Sequence, residues 1–126
     1  MVAALVPAGQ ARSLGIDIET RDGAEELSTV KGLSAVDELP PDWTSAGPVI
    51  LFSVKEAAFK ALHPVINRRL RFEDITVSWT DIRSSRCLVG TAHCGCVSLD
   101  IRCSTVVPAH VVSVALLPAA ATASSA

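Results

Sequence analysis

A chain of 126 residues has the length of one domain and is long enough to bury a core, and its net charge of −2 excludes nucleic-acid binding driven by bulk positive charge. With 49% hydrophobic and 19% charged residues, the composition is that of a soluble globule, not of a disordered or fibrous chain. The opening MVAALVPAGQA has no basic start and too short an apolar run for a secretion signal, and the apolar stretch 106–121 is broken by Pro108, His110 and Pro118. The expectation is a cytoplasmic protein with no membrane and no nucleic-acid partner.

In chain order, residues 1–6 and 13–19 read as two strands of a hairpin, because a Pro-Ala-Gly turn separates two apolar runs. Residues 20–48 are polar and repeatedly broken by glycine and proline, which reads as a linker or lid with at most short helical pieces. Val49-Ile-Leu-Phe52 reads as a short strand or entry segment. A helix then follows from Ser53 to the stop at Pro64, rich in alanine, lysine, glutamate and leucine. Residues 71–79, 86–91, 94–102 and 110–116 alternate as four strands, three of them consecutive in a meander. The predicted fold is α+β, an antiparallel sheet packed on one principal helix, with a domain over residues 1–118 and a frayed Ala/Ser-rich tail over 119–126.

Cys87, Cys94, Cys96 and Cys103 stand in a C-x6-C-x-C-x6-C spacing that invites a metal. Zinc sites favour two to four residues between paired cysteines with a turn between them, whereas C-G-C within one alternating strand would send both thiols to the same face. Small buried cysteines in a reducing compartment are the preferred reading.

The charges in the helix have two explanations. Ser53 and Glu56 form the S-x-x-E of a capping box, and Glu56 with Lys60 makes a favourable i, i+4 pair, so helix-start chemistry alone accounts for them. The second explanation involves Asp17 and Glu19, which alternation places on one face of the predicted strand, with Ile16 and Ile18 buried on the other. Adjacent carboxylates are either solvated at a strand end or neutralised by a cation. With Glu56 they would complete an all-oxygen site suited to Mg²⁺, and Lys55 and Lys60 would bring charge to substrate phosphates.

The stretch Gly15-Ile-Asp-Ile-Glu19, followed after roughly thirty residues by Phe52-Ser-Val-Lys-Glu-Ala-Ala-Phe-Lys-Ala-Leu-His-Pro64, resembles the two-part signature of 4′-phosphopantetheinyl transferases. That signature reads G-[IV]-D-x-E, then [FW]-[ST]-x-K-E-A-x-x-K-A. The Phe-Ser opening, Pro64 and Arg71-Phe-Glu-Asp-Ile75 resemble the siderophore-synthetase (enterobactin) subgroup more than the holo-acyl-carrier-protein synthase subgroup, and the likeness covers residues 13–77. It implies one half of a pseudo-dimeric fold. It also implies transfer of 4′-phosphopantetheine from coenzyme A to a serine of an acyl or peptidyl carrier protein, in siderophore or polyketide biosynthesis. Asp17, Glu19 and Glu56 would hold Mg²⁺, Glu56 would act as base, Lys60 would contact the phosphates, and Lys55 would be a second cation there.

The chain departs from the subgroup in length. Members are usually about twice as long, and the half absent here carries basic residues and a Ser-His segment that hold the nucleotide. Arg68, Arg69 and Arg71 either touch nucleotide phosphates or an acidic carrier-protein helix, or form a solvated basic turn. The chain either completes its site as a homo-oligomer or is a truncated, catalytically silent remnant that still binds Mg²⁺ or a carrier protein.

Overall fold

Strands form in this chain where side chains alternate between a buried and an exposed face, the period-two pattern of a sheet covered on one side. In the computed structural model, which describes residues 11–20, 47–66, 69–84, 87–106 and 109–119, they are β1 (Ala11–Thr20), β2 (Thr76–Ser84), β3 (Cys87–Cys94), β4 (Val97–Ser104) and β5 (His110–Pro118). The sheet runs in the order β1-β5-β4-β3-β2. Strands β2 to β5 form an antiparallel meander, and β1 pairs antiparallel with β5. The helix α1 (Gly47–Leu62) lies over β1, β5 and the neighbouring part of β4. This is the α+β architecture expected from the sequence. The predicted strand at residues 1–6, nearly all of the 20–48 segment, Arg68 and most of the terminal tail lie outside the described residues.

The core sits between α1 and the inner face of the sheet. Val77, Leu88, Ala92, Leu99, Ile101, Val111, Ala115 and Leu117 come from the strands, while Val49, Ile50, Leu51, Val54, Ala57, Ala58, Ala61 and Leu62 come from the helix. Each large aliphatic side chain among them contributes about 1.5–3 kcal/mol by leaving water. The helix is longer than the sequence pattern indicated. It begins at Gly47, so Val49 to Phe52 form its first turns and not a strand. Pro48 fits there because the first turn of a helix needs no N–H donor. Ser53 therefore lies inside the helix, fully buried with no partner for its hydroxyl, and it is not an N-cap.

The stretch expected as a strand from Arg71 opens instead with a single 3-10 turn at Phe72–Asp74, in which the Asp74 carboxylate accepts the Arg71 backbone N–H at 2.8 Å. The cysteines are also placed differently. Gly95-Cys96 is the two-residue turn between β3 and β4, with Gly95 at φ +61°, a left-handed conformation that glycine adopts without strain. Cys94 is buried at the end of β3 and Cys96 is exposed on the turn, so the two thiols do not share a strand face.

Alternation on β1 holds, but the burial is the reverse of the expectation. Gly15 and Asp17 face α1 and are buried, whereas Ile16 is half-buried and Ile18 is 39% exposed on the outer face. The helix covers the acidic side of the strand.

Candidate functional site

Gly15 is where α1 comes down onto the sheet. A Cβ there would overlap the Ala57 carbonyl oxygen and lie 2.7 Å from the Ala61 nitrogen, so only glycine allows this approach. Two residues along β1 on the same face stands Asp17, with Glu19 next after it. Glu56 precedes Ala57 on the helix, and Lys60 lies one turn beyond Glu56. The Lys60 ammonium donates to Asp17 Oδ1 at 3.1 Å and to the Ile16 carbonyl at 3.0 Å. Asp17 is 6% exposed in this ion pair and Lys60 49%, so the lysine reaches the carboxylate from the solvent side.

Electrostatics tie the remaining groups to this pair. The Glu19 pKa is pushed up from 4.5 to about 7, first by burial, then by a hydrogen bond with Asp17 and by the charges of Asp17 and Glu56, against the pull of Lys60. Burial and the Asp17 charge also raise the Glu56 pKa above its ordinary value, with Lys60 again opposing. The charges of Asp17 and Lys60 thus act on both glutamates. Among the described residues no three carboxylate, imidazole or thiol groups stand close enough to make a ready cage for a metal. The donor chemistry nevertheless suits a hard cation: all the donors are carboxylate oxygens, and the repulsion that adds to burial in raising Glu19 and Glu56 is the kind a divalent ion removes.

The other predicted residues lie elsewhere. Lys55 is 1% exposed, and its ammonium donates to the Phe72 carbonyl at 3.2 Å, beside the Phe52–Phe72 ring pair with centroids 5.3 Å apart. In this arrangement Lys55 ties the 3-10 turn to α1. Arg69 and Arg71 are exposed, and Arg71 Nε lies 3.2 Å from Glu73 Oε1. All four cysteines are free thiols. One polar residue near the cluster escaped the sequence reading. Ser113 of β5 is fully buried directly across from Asp17 in the ladder. Its signal was a lone hydroxyl at an inward position of an otherwise apolar strand, His110–Pro118.

No curated protein matches the chain. A family model described as the 4′-phosphopantetheinyl transferase superfamily matches residues 13–114, which takes in β1, α1 and the meander as far as the middle of β5. With most of its length in that match, the chain belongs to the 4′-phosphopantetheinyl transferase superfamily, whose members transfer phosphopantetheine to carrier proteins.

Proposed function

We propose that this chain transfers 4′-phosphopantetheine from coenzyme A to a serine of an acyl or peptidyl carrier protein, with Asp17, Glu19 and Glu56 as ligands of Mg²⁺. The observation that carries the reading is the electrostatic cluster of those three carboxylates with Lys60, built from β1 and α1 inside the region matched to the superfamily. When bound, the ion supplies positive charge to the pyrophosphate of coenzyme A. Lys60 is half exposed, so its ammonium is free to turn from Asp17 to a phosphate oxygen as substrate enters. Glu56, its pKa already raised by burial, takes the proton of the carrier serine hydroxyl. The serine oxygen forms a bond to the β-phosphorus, the phosphoanhydride bond breaks, and adenosine 3′,5′-bisphosphate leaves. Lys55, held at the Phe72 carbonyl, acts as a brace for α1 and not as a phosphate contact.

The motif around Phe52 to Pro64 and the Arg71 to Ile75 segment support a place beside the siderophore-synthetase type, as the C-terminal half of a two-half enzyme. The outer sheet face supports the same reading. Leu14, Ile16, Ile18, Val112, Val114 and Leu116 are in register there and only partly buried, an apolar surface that a second half or a second copy of the chain would cover. The alternative, a silent remnant, draws on the Lys60–Asp17 ion pair, which already balances the charge of that carboxylate.

Intact-mass spectrometry of an apo carrier protein, incubated with coenzyme A, Mg²⁺ and the chain, tests the proposal. Gain of one phosphopantetheine per carrier that chelation of Mg²⁺ abolishes supports transfer. A folded chain that adds no mass at any concentration supports the remnant.

A further inference from the structure

Three strands present one polar row to the underside of α1. Cys103 of β4, Ser113 of β5 and Asp17 of β1 are successive partners in the ladder, so their side chains stand side by side on the inner face. All three are buried. Two atoms in the row lack a hydrogen-bond partner: Asp17 Oδ2, the oxygen that Lys60 does not bond, and Ser113 Oγ of its ladder partner. Burial pushes the Cys103 thiol up to about 12, and the Ser113 hydroxyl pulls it down only in part. That sulfur contact is a weak one, because Ser113 Oγ makes no hydrogen bond of ordinary geometry. Cys103 therefore stays a neutral thiol, a poor acceptor, and leaves the Ser113 hydroxyl proton to a better one.

We infer that Ser113 is a positioning residue of the site: its hydroxyl donates to Asp17 Oδ2 and fixes the carboxylate so that Oδ1 faces Lys60, Glu19 and the incoming cation. A buried carboxylate oxygen and a buried hydroxyl, each without a partner and carried by residues paired across the ladder, have complementary needs, since one only accepts and the other can donate. The hydrogen bond to the ionised oxygen is charge-assisted, which makes it the strong partner of the two available to Ser113. Carboxylates that hold metal ions are held in turn by such outer partners. The inference rests on the proposed role of Asp17 as a cation ligand, and the bond itself does not depend on that role.

The test uses Ser113→Thr and Ser113→Val, which add the same volume and differ only in the hydroxyl, together with Ser113→Ala. Binding of Mn²⁺ is measured by isothermal titration calorimetry on the whole chain, and urea unfolding is measured without divalent ions. The expectation is that Ser113→Thr binds Mn²⁺ about as the parent does, whereas Ser113→Val and Ser113→Ala bind roughly 10-fold more weakly. Ser113→Thr should also unfold at higher urea than Ser113→Val. A parent that binds no Mn²⁺, together with a Thr variant that outlasts the Val variant in urea, leaves the Ser113–Asp17 bond standing and removes the cation reading. Equal urea midpoints for Thr and Val, or a more stable Val variant, overturn the inference, as does unchanged Mn²⁺ affinity in Ser113→Ala.

Discussion

Replacing Gly15 by alanine tests whether close contact between α1 and β1 builds the site. Gly15 is not among the described residues with a left-handed φ, so the effect of a methyl group there is steric. Its neighbours are all helix backbone: the Ala57 carbonyl oxygen, which it would overlap, the Ala61 nitrogen at 2.7 Å and the Ala57 carbonyl carbon at 3.0 Å. None of these can swing aside as a side chain could, so α1 must lift by about 1 Å to restore ordinary contact. Overpacking of this kind costs about 1–3 kcal/mol, and a backbone-on-backbone clash belongs at the upper end. The lower entropy of an unfolded alanine chain returns roughly 0.4–1 kcal/mol. A net loss of about 2 kcal/mol is large against the roughly 5–15 kcal/mol that holds a domain together. Lifting α1 also carries Lys60 and Glu56 away from Asp17 and opens the 3.1 Å ion pair. Urea unfolding followed by circular dichroism should show a lower midpoint at unchanged slope, and the carrier-protein mass assay a loss of transfer. A Gly15→Ala chain as stable as the parent, or more stable, would refute the packing argument.

Three further outcomes follow from the cluster and the outer face. Because the folded chain holds the Glu19 proton to about pH 7 while an ordinary glutamate releases it near 4.5, stability should fall as pH rises through that window. The full shift corresponds to about 3 kcal/mol, which solvent screening of a half-buried group reduces to about 1 kcal/mol. Urea midpoints at about pH 5 and about pH 8 should therefore differ more in the parent than in Glu19→Gln, and equal differences would contradict the coupling. Lys60→Met removes the ammonium beside buried Asp17 and should cost about 1–2 kcal/mol, a loss that added Mg²⁺ recovers in part by binding the folded state. Absence of that recovery counts against cation binding. The apolar face around Ile18 and Val112 should give a homo-oligomer in size exclusion with light scattering and an activity that falls on dilution. A monodisperse monomer with full activity at nanomolar concentration contradicts it.

The sequence carried the strand character of the sheet segments because alternation is a local property, visible at β3, β4 and β5 without knowledge of their neighbours, but the pairing of β1 with β5 is not local and was not legible. It could not show which side of β1 the helix would cover. Period two assigns Asp17 and Ile18 to opposite faces and leaves open which face is inside, so the hydrophobic rule chose Ile18 and the helix chose Gly15. The start of α1 was hidden for a related reason. Val49, Ile50 and Leu51 are buried on every side of the helix, and a short continuous apolar run looks the same in a buried strand. That error mattered, since Ser53 as an N-cap would have explained Glu56 away. With Ser53 inside the helix, Glu56 is left without a capping role and with the charge of Asp17 acting on it. The two-part motif marked Asp17 and Lys60, which the fold joins in an ion pair, and Glu19 and Glu56, which feel the charge of both. The burial of Lys55 and the place of Ser113 depend on tertiary contacts, and no local pattern encodes those.

The central claim is that the carboxylates of β1 and α1 are the machinery of phosphopantetheine transfer. Intact-mass measurement of the carrier protein tests it most directly when run with the parent chain and with Asp17→Asn and Glu56→Gln, each checked by circular dichroism for a native fold. Both substitutions keep side-chain shape and remove only charge and basicity. The account predicts conversion of the carrier by the parent and a loss of at least about 100-fold in rate for each variant, the scale of a general base or a charge-stabilising group. Folded variants that modify the carrier at the parental rate would place the chemistry elsewhere and contradict the account.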